Sequence, residues 1–177
     1  NITQPNRNKL LWRDPSVDGV KTGYTEDAGY CLVASAKRND MRLISVVMGT
    51  KSANARAKEN QSLLNYGFRF FETRRLYKAQ DTLTETKIWK GENGTLALGL
   101  TEDLYVTVPR RYYDDLKAVM TIDNNIMAPV SKGQAFGSVK ISLGSDTLIS
   151  RPLKALDSVA KGSIFQRLYD EAMLRIQ

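Results

Sequence analysis

Lys21-Thr22-Gly23, within "VDGVKTGYT" (Val17 to Thr25), sets an ammonium, a hydroxyl and a position without Cβ side by side. On an extended strand those three suit acyl transfer. The ammonium keeps a site positive, the hydroxyl can hold a polar ligand group, and the glycine lets a peptide lie against the strand edge. Other reactive types are sparse. No histidine occurs in the 177 residues, so Ser-His-Asp catalysis, Cys-His catalysis and histidine-based zinc sites are outside what this chain does alone. Cys31 is single, so no internal disulfide forms. Its apolar setting, Tyr30-Cys31-Leu32-Val33-Ala34, predicts a buried small hydrophobe rather than a nucleophile. Plainer readings stand beside the chemical ones. Lys21 could be an exposed strand lysine, Arg7 in Asn6-Arg7-Asn8 a solvated loop residue, Glu26 and Asp27 a solvated turn, and Trp12 and Trp89 packing residues.

The elements that would position Lys-Thr-Gly follow from periodicity. Val17 to Lys21, "YCLVASA" (Tyr30 to Ala36) and "RLISVVM" (Arg42 to Met48) read as three strands on short connectors, an antiparallel meander. The second and third are apolar on both faces, which predicts that both sides of the sheet are covered. From Ser52, a plausible N-cap, Ala57, Leu64, Phe68 and Phe71 recur at helical spacing, giving a helix of about five turns. One helix covers one face. Nothing in residues 1–16 looks able to cover the other, so this first unit reads as incomplete.

Past Glu72 the pattern becomes short strands between turns: Thr95 to Leu100, Leu104 to Pro109, Leu116 to Ile122, Gly137 to Leu143 and Asp146 to Leu153. That spacing predicts a small β-sandwich or barrel. The end, "SIFQRLYDEAMLRIQ", places Ile164, Phe165, Leu168, Tyr169, Ala172 and Ile176 on one stripe, opposite Gln166, Arg167, Asp170, Glu171 and Arg175. The expected division is 1–72, 73–163 and an amphipathic helix over 164–177.

A net charge of +7 invites an anionic partner: nucleic acid, an acidic membrane or an anionic polymer such as cell wall. Residues 1–72 hold 11 basic and 7 acidic side chains and the remainder 15 and 12, so no basic arm stands out. With nucleic-acid module signatures also absent, a nucleic-acid partner is not expected. No apolar run approaches the roughly 18 residues of a membrane span, and no signal peptide is recognisable. The start, Asn1-Ile2-Thr3, reads as a processed product or a fragment of a larger protein.

Lys-Thr-Gly belongs to the motif set of β-lactamases and penicillin-binding proteins, with Ser-x-x-Lys and a Ser-Asp-Asn type motif as companions. Together with "NRNKLLW" (Asn6 to Trp12), "AGYCLVASA" (Ala28 to Ala36), "RLISVVMG" (Arg42 to Gly49) and "LLNYGFRFFET" (Leu63 to Thr73), it resembles the low-molecular-mass penicillin-binding proteins of the D-Ala-D-Ala carboxypeptidase type, penicillin-binding protein 5 and 6. The resemblance runs the length of the chain. It implies an α+β fold: an antiparallel sheet plus helix from the C-terminal part of a β-lactamase/transpeptidase-like domain, then a small all-β sandwich-like domain and a terminal amphipathic helix.

By that resemblance Lys21 sits in the hydrogen-bond network around a catalytic serine, and Thr22, Thr25 and Arg7 bind the carboxylate of a terminal D-alanine, with Gly23 lining the peptide's path. Tyr24 stands where the family commonly has histidine; its backbone N–H would be an oxyanion donor. The implied activity is removal of the terminal D-alanine from peptidoglycan pentapeptide stems through an acyl-enzyme that β-lactams also form. No cofactor or metal is implied. The implied setting is the periplasm, on the outer face of the bacterial inner membrane, with the terminal helix on the membrane surface. Rival readings are a related endopeptidase or β-lactamase, and a non-catalytic module binding cell wall or a partner. The serine and its Ser-x-Asn companion would lie N-terminal to Lys-Thr-Gly, in another part of the same protein. Ser158-Val159-Ala160-Lys161 and Ser52-Ala53-Asn54 match the patterns on the wrong side, and about one such Ser-x-x-Lys match is expected by chance. Ser158 lies just before the terminal helix, and Ser52 reads as a cap.

Overall fold

In the computed structural model, which describes residues 3–175, the chain divides into two compact units: Asn1–Arg74 with Thr107–Arg110, and the remaining residues, Arg75–Val106 with Arg111–Gln177.

The first unit holds α1 (Leu10–Arg13), β1 (Val17–Thr25), β2 (Gly29–Arg38), β3 (Met41–Thr50) and α2 (Ala53–Phe70). The strands form an antiparallel sheet in the order β1-β2-β3, with Lys21 opposite Val33 and Val33 opposite Val46. Leu32, Ala34, Ala36 and Met41 bury one face of this sheet in a single core with Leu10 and with Ala57, Leu64 and Phe68 of α2. Alanines at alternate positions of β2 leave room for the helix, and positions 57, 64 and 68 share its stripe. Ser52 caps α2 by accepting the Ala55 N–H at 3.0 Å, as the sequence suggested. One polar side chain is sealed into this interface. Asn60 is fully buried, donates to the carbonyls of Leu32 (3.2 Å) and Arg56 (2.8 Å), and accepts the Ser45 hydroxyl at 2.6 Å.

The opposite sheet face is apolar and has no cover among the described residues. Ile44, Val46 and Met48 alternate along it and stay exposed, Met48 at 71%. The single helix covers only the Leu32–Ala34 face. Trp12, expected to pack, is 74% exposed, because α1 is a single turn that buries only Leu10. Cys31 is partly rather than fully buried, and its thiol donates to the Ala28 carbonyl at 3.4 Å.

In the second unit β5 (Thr82–Lys87), β6 (Thr95–Gly99), β8 (Leu116–Ile122), β9 (Ala135–Leu143) and β10 (Asp146–Ala155) make one antiparallel sheet in the order β5-β6-β10-β9-β8. Leu96, Leu98, Val139, Ile141, Leu153 and Ala155 of the sheet share a core with Ile88, Ile126, Val130 and Val159 from connecting segments. Those segments are stitched by isolated bridges, Gly91 to Lys161 and Val130 to Val159. They form an irregular second layer, so the unit is sandwich-like. Trp89 is buried as expected.

β4 (Phe71–Tyr77) and β7 (Leu104–Pro109) pair as a two-stranded sheet. β4 ("FETRRLY") and β5 ("TLTETK") were not legible as strands because neither carries an alternating apolar face. The terminal helix α3 spans Ile164–Leu174. Ser163 and Gln166 close a capping box at its start. Ile176, the last member of the expected stripe, lies outside the described residues.

Candidate functional site

A cleft of about 750 Å³ in the first unit is lined by Pro5, Asn6, Arg7, Lys9, Lys21, Thr22, Gly23, Tyr24, Tyr30, Ala53 and Arg56. It runs past β1, which among the described residues pairs only with β2, so the other edge of β1 carries no described strand. An unpaired edge offers backbone donors and acceptors to an extended peptide. Lys21, Thr22, Gly23, Tyr24 and Arg7 are thus brought together. Thr25 lies one residue beyond the lining; its Oγ1 accepts the Ala28 N–H at 2.9 Å and holds the turn after β1. Ser158 and Ser52 are elsewhere: the Ser158 hydroxyl accepts the Lys132 N–H at 3.0 Å in the second unit, and Ser52 is the α2 cap. Among the described residues no serine lines the cleft.

Lys21 is exposed, and its Nζ donates to the Thr22 carbonyl at 2.9 Å. A Cβ placed on Gly23 would meet Cys31 Cβ at 3.7 Å, an ordinary contact. The chain's own packing therefore does not require glycine there. What a bare backbone provides at this position is close approach from the open edge.

The loop bearing Arg7 is built, not merely solvated. Asn6 Oδ1 accepts the Asn8 N–H at 2.9 Å; the buried Asn8 donates from Nδ2 to the Gly19 carbonyl of β1 at 3.2 Å and accepts the Leu10 N–H at 3.1 Å. These Asx turns tie residues 6–10 to the first residues of β1. Among the described residues Arg7 Nη2 donates only to Gln4 Oε1, at 3.3 Å, leaving most of its guanidinium open to a ligand.

Sequence reasoning missed Arg56. It projects from the first turn of α2 and is 4% exposed. Its Nη1 donates to the Gly23 carbonyl (2.9 Å) and the Cys31 carbonyl (3.3 Å), and Nη2 to the Arg7 carbonyl (3.4 Å). Its guanidinium carbon lies 5.5 Å from the Tyr30 ring centre, and Tyr30 stacks on Tyr24 at 4.4 Å. One side chain thereby fixes β1, β2 and the Arg7 loop at the cleft. The available signal was an arginine on the apolar side of α2, one position before Ala57, where a solvated charge does not belong.

The lining contains four cations and no carboxylate. Arg56 neutralises none of its charge through a carboxylate partner among the described residues. Such a cleft attracts an anionic ligand, and an edge strand with a bare glycine shapes that ligand as an extended peptide. No group of metal-binding side chains occurs among the described residues.

A different ion pair organises the other end of β1. Asp14 is buried, and although burial raises its carboxyl pKa, hydrogen bonds from the Ser16 hydroxyl and backbone N–H and from Arg38 outweigh it and hold it below the ordinary value.

Comparison with known proteins gives two family matches: the family described as penicillin-binding protein 5, C-terminal domain, over residues 71–161, and D-alanyl-D-alanine carboxypeptidase over residues 1–52. D-alanyl-D-alanine carboxypeptidase DacC of Escherichia coli K12 is 43% identical over 98% of this chain and 44% of its own length. DacA of Haemophilus influenzae is 39% identical over 99% of this chain and 46% of its own length. The crystal structure of penicillin-binding protein 5 from Haemophilus influenzae superposes with a TM-score of 0.80 at 40% identity, covering 90% of this chain and 47% of that one. The chain thus spans under half the length of these relatives.

Proposed function

This chain belongs to the low-molecular-mass penicillin-binding proteins of the D-Ala-D-Ala carboxypeptidase type, and on that premise we propose that it supplies the Lys-Thr-Gly side of a serine-type D-Ala-D-Ala carboxypeptidase site. The observation that carries the reading is the cleft along the free edge of β1, with Arg7, Lys21 and Arg56 facing it and no acidic side chain in the lining.

In this proposal the peptide lies along β1 beside Gly23. Its terminal carboxylate meets Arg7, with the Thr22 hydroxyl and, beyond it, Thr25 donating to it, while buried Arg56 adds an unneutralised positive field. The Tyr24 N–H donates to the oxyanion. A serine from outside these 177 residues attacks the carbonyl carbon of the penultimate D-alanine. The C–N bond breaks, the amine of the last D-alanine takes a proton and leaves, and water hydrolyses the ester. Lys21 keeps the nucleophile's surroundings positive. Residues 1–72 would then complete a transpeptidase-like domain, 73–163 form the β-domain, and 164–177 the membrane-facing helix.

Membrane association is proposed for α3. No helix among the described residues is long and apolar enough to cross a membrane. The acidic residues of α3 are already engaged: Asp170 accepts the Lys90 N–H at 2.5 Å and Glu171 pairs with the Lys90 ammonium. Ile164, Phe165, Leu168 and Tyr169 are left exposed, Phe165 at 84%. An apolar face with its acids turned inward suits an interfacial helix on the outer face of the inner membrane, in the periplasm.

The test is the intact mass of the polypeptide that carries these residues together with a Ser-x-x-Lys segment, before and after benzylpenicillin. One penicilloyl adduct per chain is expected, lost or slowed at least a hundredfold in Lys21→Ala, an order of magnitude typical for removing a group that acts in the transition state. No adduct in the unmodified protein would overturn the reading.

A further inference from the structure

Two cations of the first unit converge on one neutral oxygen beside the cleft. Lys9 Nζ donates to Asn54 Oδ1 at 2.8 Å, and Arg13 Nη2 donates to the same oxygen at 3.4 Å. Lys9 precedes α1, Arg13 ends it, and Asn54 sits in the first turn of α2. All three are exposed, and neither cation makes an ion pair among the described residues. An amide oxygen carries no net charge, so the pair repels without a counter-charge, and an anion placed between them would relieve that repulsion.

Its position gives the anion an address. Lys9 itself lines the cleft, two residues past Arg7; Asn54 follows the lining residue Ala53 and lies two residues before Arg56, whose guanidinium holds the Arg7 carbonyl. The pair therefore flanks the Arg7–Arg56 end. We propose that Lys9 and Arg13 form a second anionic subsite on the leaving-group side of the scissile bond, one that takes a second carboxylate carried by the departing residue. The proposal rests on the carboxylate reading of Arg7. If the terminal carboxylate of the departing residue sits at Arg7, an anion farther out on that side belongs to the same leaving group. The substrate class is then a D-alanyl peptide whose leaving group is a diacid, such as a dicarboxylic amino acid or an acidic peptide, as well as plain D-alanine. The Ser-x-Asn match at 52–54 is thereby given a use unrelated to a nucleophile: Ser52 caps α2, and Asn54 spaces the two cations.

The test is an NMR titration of the whole polypeptide with N-acetyl-D-alanyl-D-alanine and with N-acetyl-D-alanyl-D-glutamate at low ionic strength. Because each exposed charge pair contributes little, the diacid is expected to bind only about three- to tenfold more tightly. That preference should vanish in a Lys9→Gln/Arg13→Gln variant, in which affinity for the diacid falls by more than affinity for the monoacid, and should fade at high salt. Equal affinities in the unmodified protein, or a preference that survives the double substitution, would overturn the second subsite while leaving the Arg7 reading intact. If neither peptide binds, the carboxylate reading itself fails and the subsite falls with it.

Discussion

Replacing Arg56 with methionine tests whether one buried guanidinium organises the cleft. Methionine keeps most of the side chain's length and removes every donor. Three carbonyls then lose partners: Gly23 at 2.9 Å, Cys31 at 3.3 Å and Arg7 at 3.4 Å. A hydrogen bond from a charged donor contributes about 1.5–3 kcal/mol, and the two longer contacts less than that. Two effects act against this loss. A buried guanidinium with no carboxylate partner carries a desolvation cost that methionine removes, and the Gly23 carbonyl borders an open cleft where water can replace the lost donor. The net expectation is a loss of about 2 kcal/mol, a large share of the stability of a unit this small. It should appear as a lower urea midpoint with an unchanged slope. Amide shifts should move at Gly23, Cys31 and Arg7, three positions far apart in sequence. Arg56→Lys should recover only part, because one ammonium does not reproduce the planar fork. A methionine variant within about 0.5 kcal/mol of the parent, with those amides unmoved, would refute the account.

Other outcomes follow from the same reasoning. Asn60→Leu should cost about 2–3 kcal/mol by removing the side-chain amide's bonds to the Leu32 and Arg56 carbonyls and leaving the buried Ser45 hydroxyl without its acceptor. Adding Ser45→Ala should recover part of it, and a double-mutant cycle with no coupling would argue against that network. Gly137→Ala should destabilise the second unit by about 2–4 kcal/mol, because its φ is +151° and a Cβ would fall on the Thr121 carbonyl oxygen; an unchanged thermal midpoint would contradict it. Asp14 and Glu171 titrate below their ordinary values, Asp14 because Ser16 and Arg38 outweigh its burial and Glu171 chiefly through the Lys90 hydrogen bond. A depressed pKa contributes stability above the unfolded-state value, near 4, that is lost as pH falls through the folded one. Below about pH 4 the stability gap between the parent and Asp14→Asn should therefore shrink, and amide exchange in α3 should quicken. A gap that stays constant down to pH 2 would show that Asp14 keeps no charge-dependent role.

The sequence by itself determined the elements whose periodicity is driven by burial. β2, β3 and α2 have a face that leaves water, so apolar spacing reports them, and Ser52 marks the start of α2 because an orphan N–H needs an acceptor. It also set the chemistry available: Lys-Thr-Gly on a strand, Arg7 nearby, and no histidine. Tertiary structure decided what spacing cannot encode. β4 and β5 are strands because neighbours supply their hydrogen bonds, not because their side chains alternate. Trp12 is exposed because a one-turn helix has too little surface to cover it. Arg56, 33 residues from Gly23, reaches the cleft only because α2 packs across the sheet. Lys9, Arg13 and Asn54 share one oxygen's surroundings for the same reason. Hydrogen bonds between residues distant in sequence leave no periodic trace, so the groups that tune the cleft become visible only once the chain is folded.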